Sequence, residues 1–248
     1  TTLFRSFNCD FCQNWEIAHD KALNMEIEDE DILSLGQSKN SIGIAYTYNE
    51  PTISYEYIYH MSKLAKERGL KNVLITNGFI NEGPLKEILP YIDAMNIDLK
   101  SMNEDFYKKI CNGKLNPVLK TIETAAKHTH VEITTLIIEG VNSREEEIEE
   151  LTNWIGNINR EIPFHISKYF PNYKMKLPPT SYNTLIKAKD IAEKHLDHVY
   201  IGNVWGTDNN TYCPSCGYQL INRQGPGEIV GLIDGKCKKC GKDINIIY

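Results

Sequence analysis

Short β-branched apolar segments alternate with amphipathic helical ones along most of this chain, and the early apolar segments end in polar residues. Residues 42–48 run into Asn49-Glu50-Pro51, residues 72–76 into Asn77-Gly78, and residues 94–100 carry Asp98 and Lys100. Residues 130–137, 164–168 and 199–202 read as further strands, and residues 1–8 as a short strand before a cysteine loop. Helical patterns fill the gaps at 28–35, 52–68, 85–89, 104–110, 117–128 and 180–196. Another opens at Ser143, which is expected to cap it, with Glu146 completing a capping box. Alternation of this kind means parallel βαβ units. Six or seven of them in about 200 residues fit an open or partial barrel better than a complete eightfold one. Ligands in such folds bind where strands end, which is where Asn49, Glu50, Thr76, Asn77, Asp98 and Lys100 fall.

The seven cysteines are Cys9 and Cys12, a lone Cys111, then Cys213, Cys216, Cys237 and Cys240. Pairing into CxxC units is a metal pattern more than a disulfide pattern, and it implies a reducing, cytoplasmic setting. The last four form two CxxCG knuckles with 20 residues between Cys216 and Cys237, the arrangement of a zinc ribbon. Four sulfurs leave no open coordination position, so the ribbon reads as a structural or docking module, with a rubredoxin-like iron centre as the alternative. Cys9-Asp10-Phe11-Cys12 alone could be a redox pair, buried structural cysteines or two metal ligands. Cys111 reads as a small buried helix residue. The glutamates from Glu145 to Glu150 read as a solvated helix face.

A formal net charge of −6 and the absence of a long basic block argue against a nucleic-acid surface. No apolar run approaches the roughly 20 residues of a membrane span. No signal peptide is visible, and a start at Thr1 rather than Met leads to the expectation of missing upstream residues.

The runs Asn8-Cys9-Asp10-Phe11-Cys12-Gln13-Asn14-Trp15, Tyr46-Thr47-Tyr48-Asn49-Glu50-Pro51-Thr52, Thr76-Asn77-Gly78, Asn96-Ile97-Asp98-Leu99-Lys100, Pro163-Phe164-His165-Ile166-Ser167 and Tyr200-Ile201-Gly202-Asn203-Val204 together resemble a radical S-adenosylmethionine (SAM) enzyme. Within that superfamily the chain is most similar to AmmeMemoRadiSam-system proteins, near the pyruvate formate-lyase-activating enzymes. The resemblance implies a partial (β/α)6 TIM-like barrel over residues 1–204 and a zinc ribbon over 205–248. It implies that Cys9 and Cys12 hold a 4Fe-4S cluster whose open iron chelates SAM. One electron then cleaves SAM to a 5′-deoxyadenosyl radical that abstracts hydrogen from a protein or small substrate, and an electron donor must serve the cluster. It further implies that Glu50, beside Asn49, takes the methionine ammonium, that Asp98 and Lys100 lie near its carboxylate, and that Thr76 and Asn77 line the rim. His165 would lie near the adenosine.

The family pattern CxxxCxxC asks for a cysteine at position 5, where this chain has Arg5. A guanidinium has no lone pair for iron. An altered start, a degenerate relative and a third ligand from elsewhere all account for this, and the intact downstream motifs favour the first. A glycyl-radical activase is the alternative enzyme. A non-catalytic barrel docking partners or nucleic acid through its ribbon is the alternative outside enzymes.

Overall fold

The computed structural model describes residues 6–19, 25–38, 41–225 and 227–246. The chain divides into two compact units, Thr1–Thr135 with Tyr169–Pro179, and Leu136–Lys168 with Thr180–Tyr248.

The first unit opens with α1 (Trp15–His19) and α2 (Asp29–Ser38). β1 (Gly43–Tyr46), α3 (Tyr55–Glu67), β2 (Lys71–Thr76), α4 (Glu82–Ile88) and β3 (Ala94–Asp98) follow. Then come α5 (Glu104–Phe106), α6 (Leu115–Ala125) and β4 (His130–Ile137), whose last two residues enter the second unit. β1 pairs with β2, β2 with β3 and β3 with β4, all parallel. β4 alternates strictly between half-buried and buried positions, which matches its β-branched sequence. Asn72 is fully buried on β2, yet satisfied: its amide nitrogen donates to Ser62 O and Tyr91 O, and Tyr46 Oη donates to its oxygen.

The second unit carries α7 (Glu145–Ile158), β5 (Phe164–Lys168), α8 (Tyr182–Ala192) and β6 (Val199–Gly202). β5 and β6 pair in parallel, Phe164 opposite Val199. The later segment forms an antiparallel sheet of β7 (Thr211–Tyr212), β8 (Gln219–Asn222) and β9 (Glu228–Ile229), then a hairpin of β10 (Leu232–Ile233) and β11 (Lys236–Cys237). Its core is small: Cys213, Leu220, Leu232, Cys237 and Ile244.

The α/β class with six parallel-type strands in chain order therefore stands. Two local expectations do not, and the strand expected over residues 1–8 falls mostly on 1–5, with Arg5, which lie outside the described residues. The helix expected over 104–110 is only one turn of α-helix followed by a π-helical turn, Tyr107–Cys111. Ser143 does not cap α7. Its hydroxyl accepts from Gly140 N within the preceding turn, so the helix begins one residue later, with Arg144 at the cap position.

Candidate functional site

Glu50 leaves the end of β1 just before Pro51, which opens a 3-10 turn leading into α3. Only 7% of its surface is exposed. Oε1 accepts from Thr52 N, Thr52 Oγ1 (2.7 Å) and Thr76 Oγ1 (2.6 Å), while Oε2 accepts from Asn77 N at 2.8 Å. Glu50 thus both starts a helix and ties the end of β2 to the loop after β1. Burial pushes its carboxyl above the usual range, against the hydrogen bonds from Thr76, Asn77 and Thr52 that pull it down.

Asn77 exchanges hydrogen bonds with Ser6 and accepts from Phe79 N, pinning the chain ahead of the cysteine loop to the end of β2. Gly78 follows with φ of 73°, and a Cβ there would sit 2.8 Å from Ile97 Cγ2. Only glycine meets both demands.

Lys100 Nζ lies 2.9 Å from Asp98 Oδ2, as residues two apart on one side of a strand can. The lysine side chain is 12% exposed and the aspartate 42%. Burial pulls the Lys100 ammonium down, but the Asp98 carboxylate and the neighbouring Cys9 and Cys111 thiols outweigh it and hold it above its usual range.

Cys9 and Cys12 are buried, and a tight turn joins them, Cys12 N donating to Cys9 O. The residues flanking Cys9 are fixed to the π-helical turn: Asn8 N donates to Cys111 O and Asp10 N to Ile110 O. The far side of the loop is held by Lys174 N and Met175 N donating to Asp10 O, and by Trp15 stacked on Tyr173.

Cys9, Asn49, Glu50, Thr76, Asn77, Asp98 and Lys100 line one cavity of about 360 Å³, within the range of small-molecule sites. Asn14, Thr47 and Tyr48 line it too. Sequence reasoning did not single them out. Asn14 donates to Tyr48 O, and Tyr48 takes a positive φ of 72°, a conformation that no residue pattern announces. Asn49 Oδ1 is buried with no hydrogen-bond partner among the described residues. A buried orphan acceptor beside a buried carboxylate suits a cationic donor such as an ammonium. With the buried Cys9 thiol lining the same cavity, these residues fit a sulfonium amino acid beside an iron–sulfur cluster. His165 belongs to the second unit, where its ring stacks on Tyr200 at 5.4 Å.

The second unit holds the other thiol set. The Sγ atoms of Cys213, Cys216, Cys237 and Cys240 all lie within 4.8 Å of one another. Cys213 to Cys240 is 3.6 Å and Cys216 to Cys237 is 3.7 Å, close to the roughly 3.8 Å between sulfurs bound tetrahedrally at ~2.3 Å. The knuckles match in detail. Gly217 N donates to Cys213 O and Gly241 N to Cys237 O, with φ of 68° and 73° at the two glycines. Burial pushes the Cys237 thiol up, but the Cys240 and Lys239 N–H groups and the Cys213 and Cys216 thiols pull it down further, to about 7.

The chain is similar to an uncharacterized protein of Methanocaldococcus jannaschii, at 43% identity over 98% of this chain and 75% of that protein. It is similar to the pyruvate formate-lyase-activating enzyme of Clostridium pasteurianum, at 28% identity over 65% of this chain and 73% of that enzyme. Solved structures share the fold, two of them as follows. A domain of the Bacteroides vulgatus pyruvate-formate lyase-activating enzyme gives a TM-score of 0.58 at 22% identity, over 65% of this chain and 99% of that one. Streptococcus suis SuiB bound to S-adenosylmethionine gives 0.66 at 12%, over 86% and 52%. The Radical SAM superfamily matches residues 6–155, which include Cys9, Cys12, Glu50, Asp98 and Lys100, and the chain belongs to that superfamily.

Proposed function

We propose that this chain binds SAM in the cavity between Cys9 and Glu50 and cleaves it reductively, for hydrogen abstraction from a protein or small substrate. The observation that carries this is the convergence of Cys9, Asn49, Glu50, Thr76, Asn77, Asp98 and Lys100 on one cavity. Cys9 and Cys12 would hold the 4Fe-4S cluster. When bound, the cluster supplies the electron that splits the sulfonium into methionine and a 5′-deoxyadenosyl radical.

The chain's own residues bind, orient and shield. Glu50 takes the methionine ammonium and is kept in place by Thr52, Thr76 and Asn77. Asn49 Oδ1 accepts a second ammonium hydrogen. Lys100, oriented by Asp98, faces the carboxylate end and the Cys9 sulfur.

On the quoted motif runs, we assign the chain to the AmmeMemoRadiSam branch, with residues 1–204 as barrel and 205–248 as a ribbon whose metal is zinc. Similarity to the Clostridium pasteurianum enzyme supports a second reading, activation of a glycyl-radical partner. In either case an electron donor is a partner. No helix among the described residues is long and apolar enough to cross a membrane, and the thiol-rich composition supports a cytoplasmic setting.

Anaerobic reconstitution with iron and sulfide, then iron counting, EPR and assay for 5′-deoxyadenosine, tests the main reading. A cluster signal altered by SAM, with 5′-deoxyadenosine formed, is expected. No cluster signal, even after restoring a cysteine at position 5, would remove the enzyme reading.

A further inference from the structure

The two faces of β3 and β4 differ. Met95 and Ile97 on β3 and Val131, Ile133 and Thr135 on β4 are buried, whereas the residues alternating with them, Asn96, Asp98, His130, Glu132 and Thr134, are half-buried. Parallel strands packed on both faces read as continuous apolar runs. These two alternate, so their second face is polar and partly open. That face meets the cavity already described: Ile75, opposite Asn96 on β2, and Asp98, two residues on from Asn96 and on the same side of β3, both line it.

Asn96 stands directly opposite Glu132 in the strand register. Thr134 Oγ1 donates to Asn96 Oδ1 at 2.9 Å, which orients the amide and leaves Asn96 Nδ2 without a partner among the described residues. His130 Nε2 lies 3.3 Å from Glu132 Oε1 and holds the carboxyl group from one side. A carboxylate offers roughly four acceptor sites, so it can take a further donor. Donor and acceptor thus sit on adjacent strands, about 4.8 Å apart. An extended chain presents the C=O and N–H of one residue along the same edge, the pair that an antiparallel neighbour exchanges.

We propose that Asn96 and Glu132 are specificity-determining residues that hold an amide-bearing substrate in extended form, Asn96 Nδ2 donating to its carbonyl and Glu132 accepting from its N–H. This rests on the reading of the adjoining cavity as the SAM site, which makes the open polar face the place where a hydrogen donor lies. A peptide segment of a protein and a small amide offer the same chemistry.

Saturation-transfer NMR on the full chain tests this without a cluster. The probes are N-acetylalanine methylamide, its lactate analogue with oxygen in place of the alanine N–H, and a blocked alanine–serine tetrapeptide. Wild type is expected to bind the methylamide roughly threefold to tenfold more tightly than the lactate analogue. Asn96→Asp keeps the shape and removes the donor, and should weaken both by about tenfold. Glu132→Leu should abolish the preference for the N–H. Thr134→Val, which frees the Asn96 amide to turn, should weaken both by about threefold. Circular dichroism checks that each variant is folded, and the wild-type comparison depends on none of them. Tighter binding of the tetrapeptide would support the proposal with a protein as the source, and equal binding would support it with a small amide. Equal binding of methylamide and lactate analogue to wild type, unchanged affinity in Asn96→Asp, or transfer to no probe would overturn it. A preference for the N–H in a reconstituted chain that forms no 5′-deoxyadenosine would support the pair and sink the SAM reading, so the two failures are distinguishable.

Discussion

Thr76 Oγ1 donates to Glu50 Oε1 at 2.6 Å, joining the end of β2 to the loop after β1. With Asn77 N on the other carboxylate oxygen, this fixes a charged group in a place that burial makes costly for it. Such an arrangement persists when a cationic ligand repays the desolvation.

Replacing Glu50 by alanine is therefore expected to weaken SAM binding by at least about tenfold, the loss of one charge-assisted contact. Calorimetric titration of the reconstituted protein measures it, and unchanged affinity would refute the assigned role.

The ligand-free protein should also show the cost of this carboxylate. The folded chain holds the Glu50 proton more tightly than its ordinary 4.5. The stability contributed by the neutral carboxyl is present below that value and is lost as pH rises through the raised one. Glu50→Gln cannot ionise, so its melting temperature should gain on wild type as pH increases from about 4.5. A difference that stays constant with pH counts against the raised value.

Asp98→Asn leaves the Lys100 ammonium without its carboxylate. A fully buried pair broken this way costs about 3–5 kcal/mol. Because the Asp98 side chain is 42% exposed, solvent screening should reduce this to about 1–2 kcal/mol. Denaturant unfolding measures it, and Asp98→Asn at wild-type stability would show the pair to be incidental.

Gly78→Ala adds a Cβ at positive φ and against Ile97 Cγ2. A loss of about 1–3 kcal/mol is expected, with weaker SAM binding because Asn77 moves with it. Full retention of both stability and affinity would show that the turn is adaptable.

The segment that carries Cys213, Cys216, Cys237 and Cys240 has a small core, so bound metal is expected to hold it together. Purified protein should carry one zinc in this segment, and Cys216→Ser should release it. Chelation should raise amide exchange from Cys213 onward and spare β1–β4. Exchange that rises throughout the chain would contradict the division at 204/205.

Much of this was legible from residue order alone. Short β-branched apolar segments announced the parallel strands, and the polar residues at their ends, Glu50, Thr76, Asn77, Asp98 and Lys100, line one cavity. The paired CxxCG knuckles announced the four-sulfur cage. What misled was local chemistry with two outlets. Ser143 could cap a helix or serve Gly140 N, and the turn took it.

The sequence by itself determined which residues could bear charge, bind metal or end a strand, because those properties reside in single side chains and short spacings. Only the tertiary structure decided that the π-helical turn ending at Cys111 bonds to the backbone on both sides of Cys9, and that Tyr48 and Asn14 line one cavity with Glu50. Such contacts arise from the packing of distant segments around a common sheet, and no periodicity along the chain encodes which segments will meet.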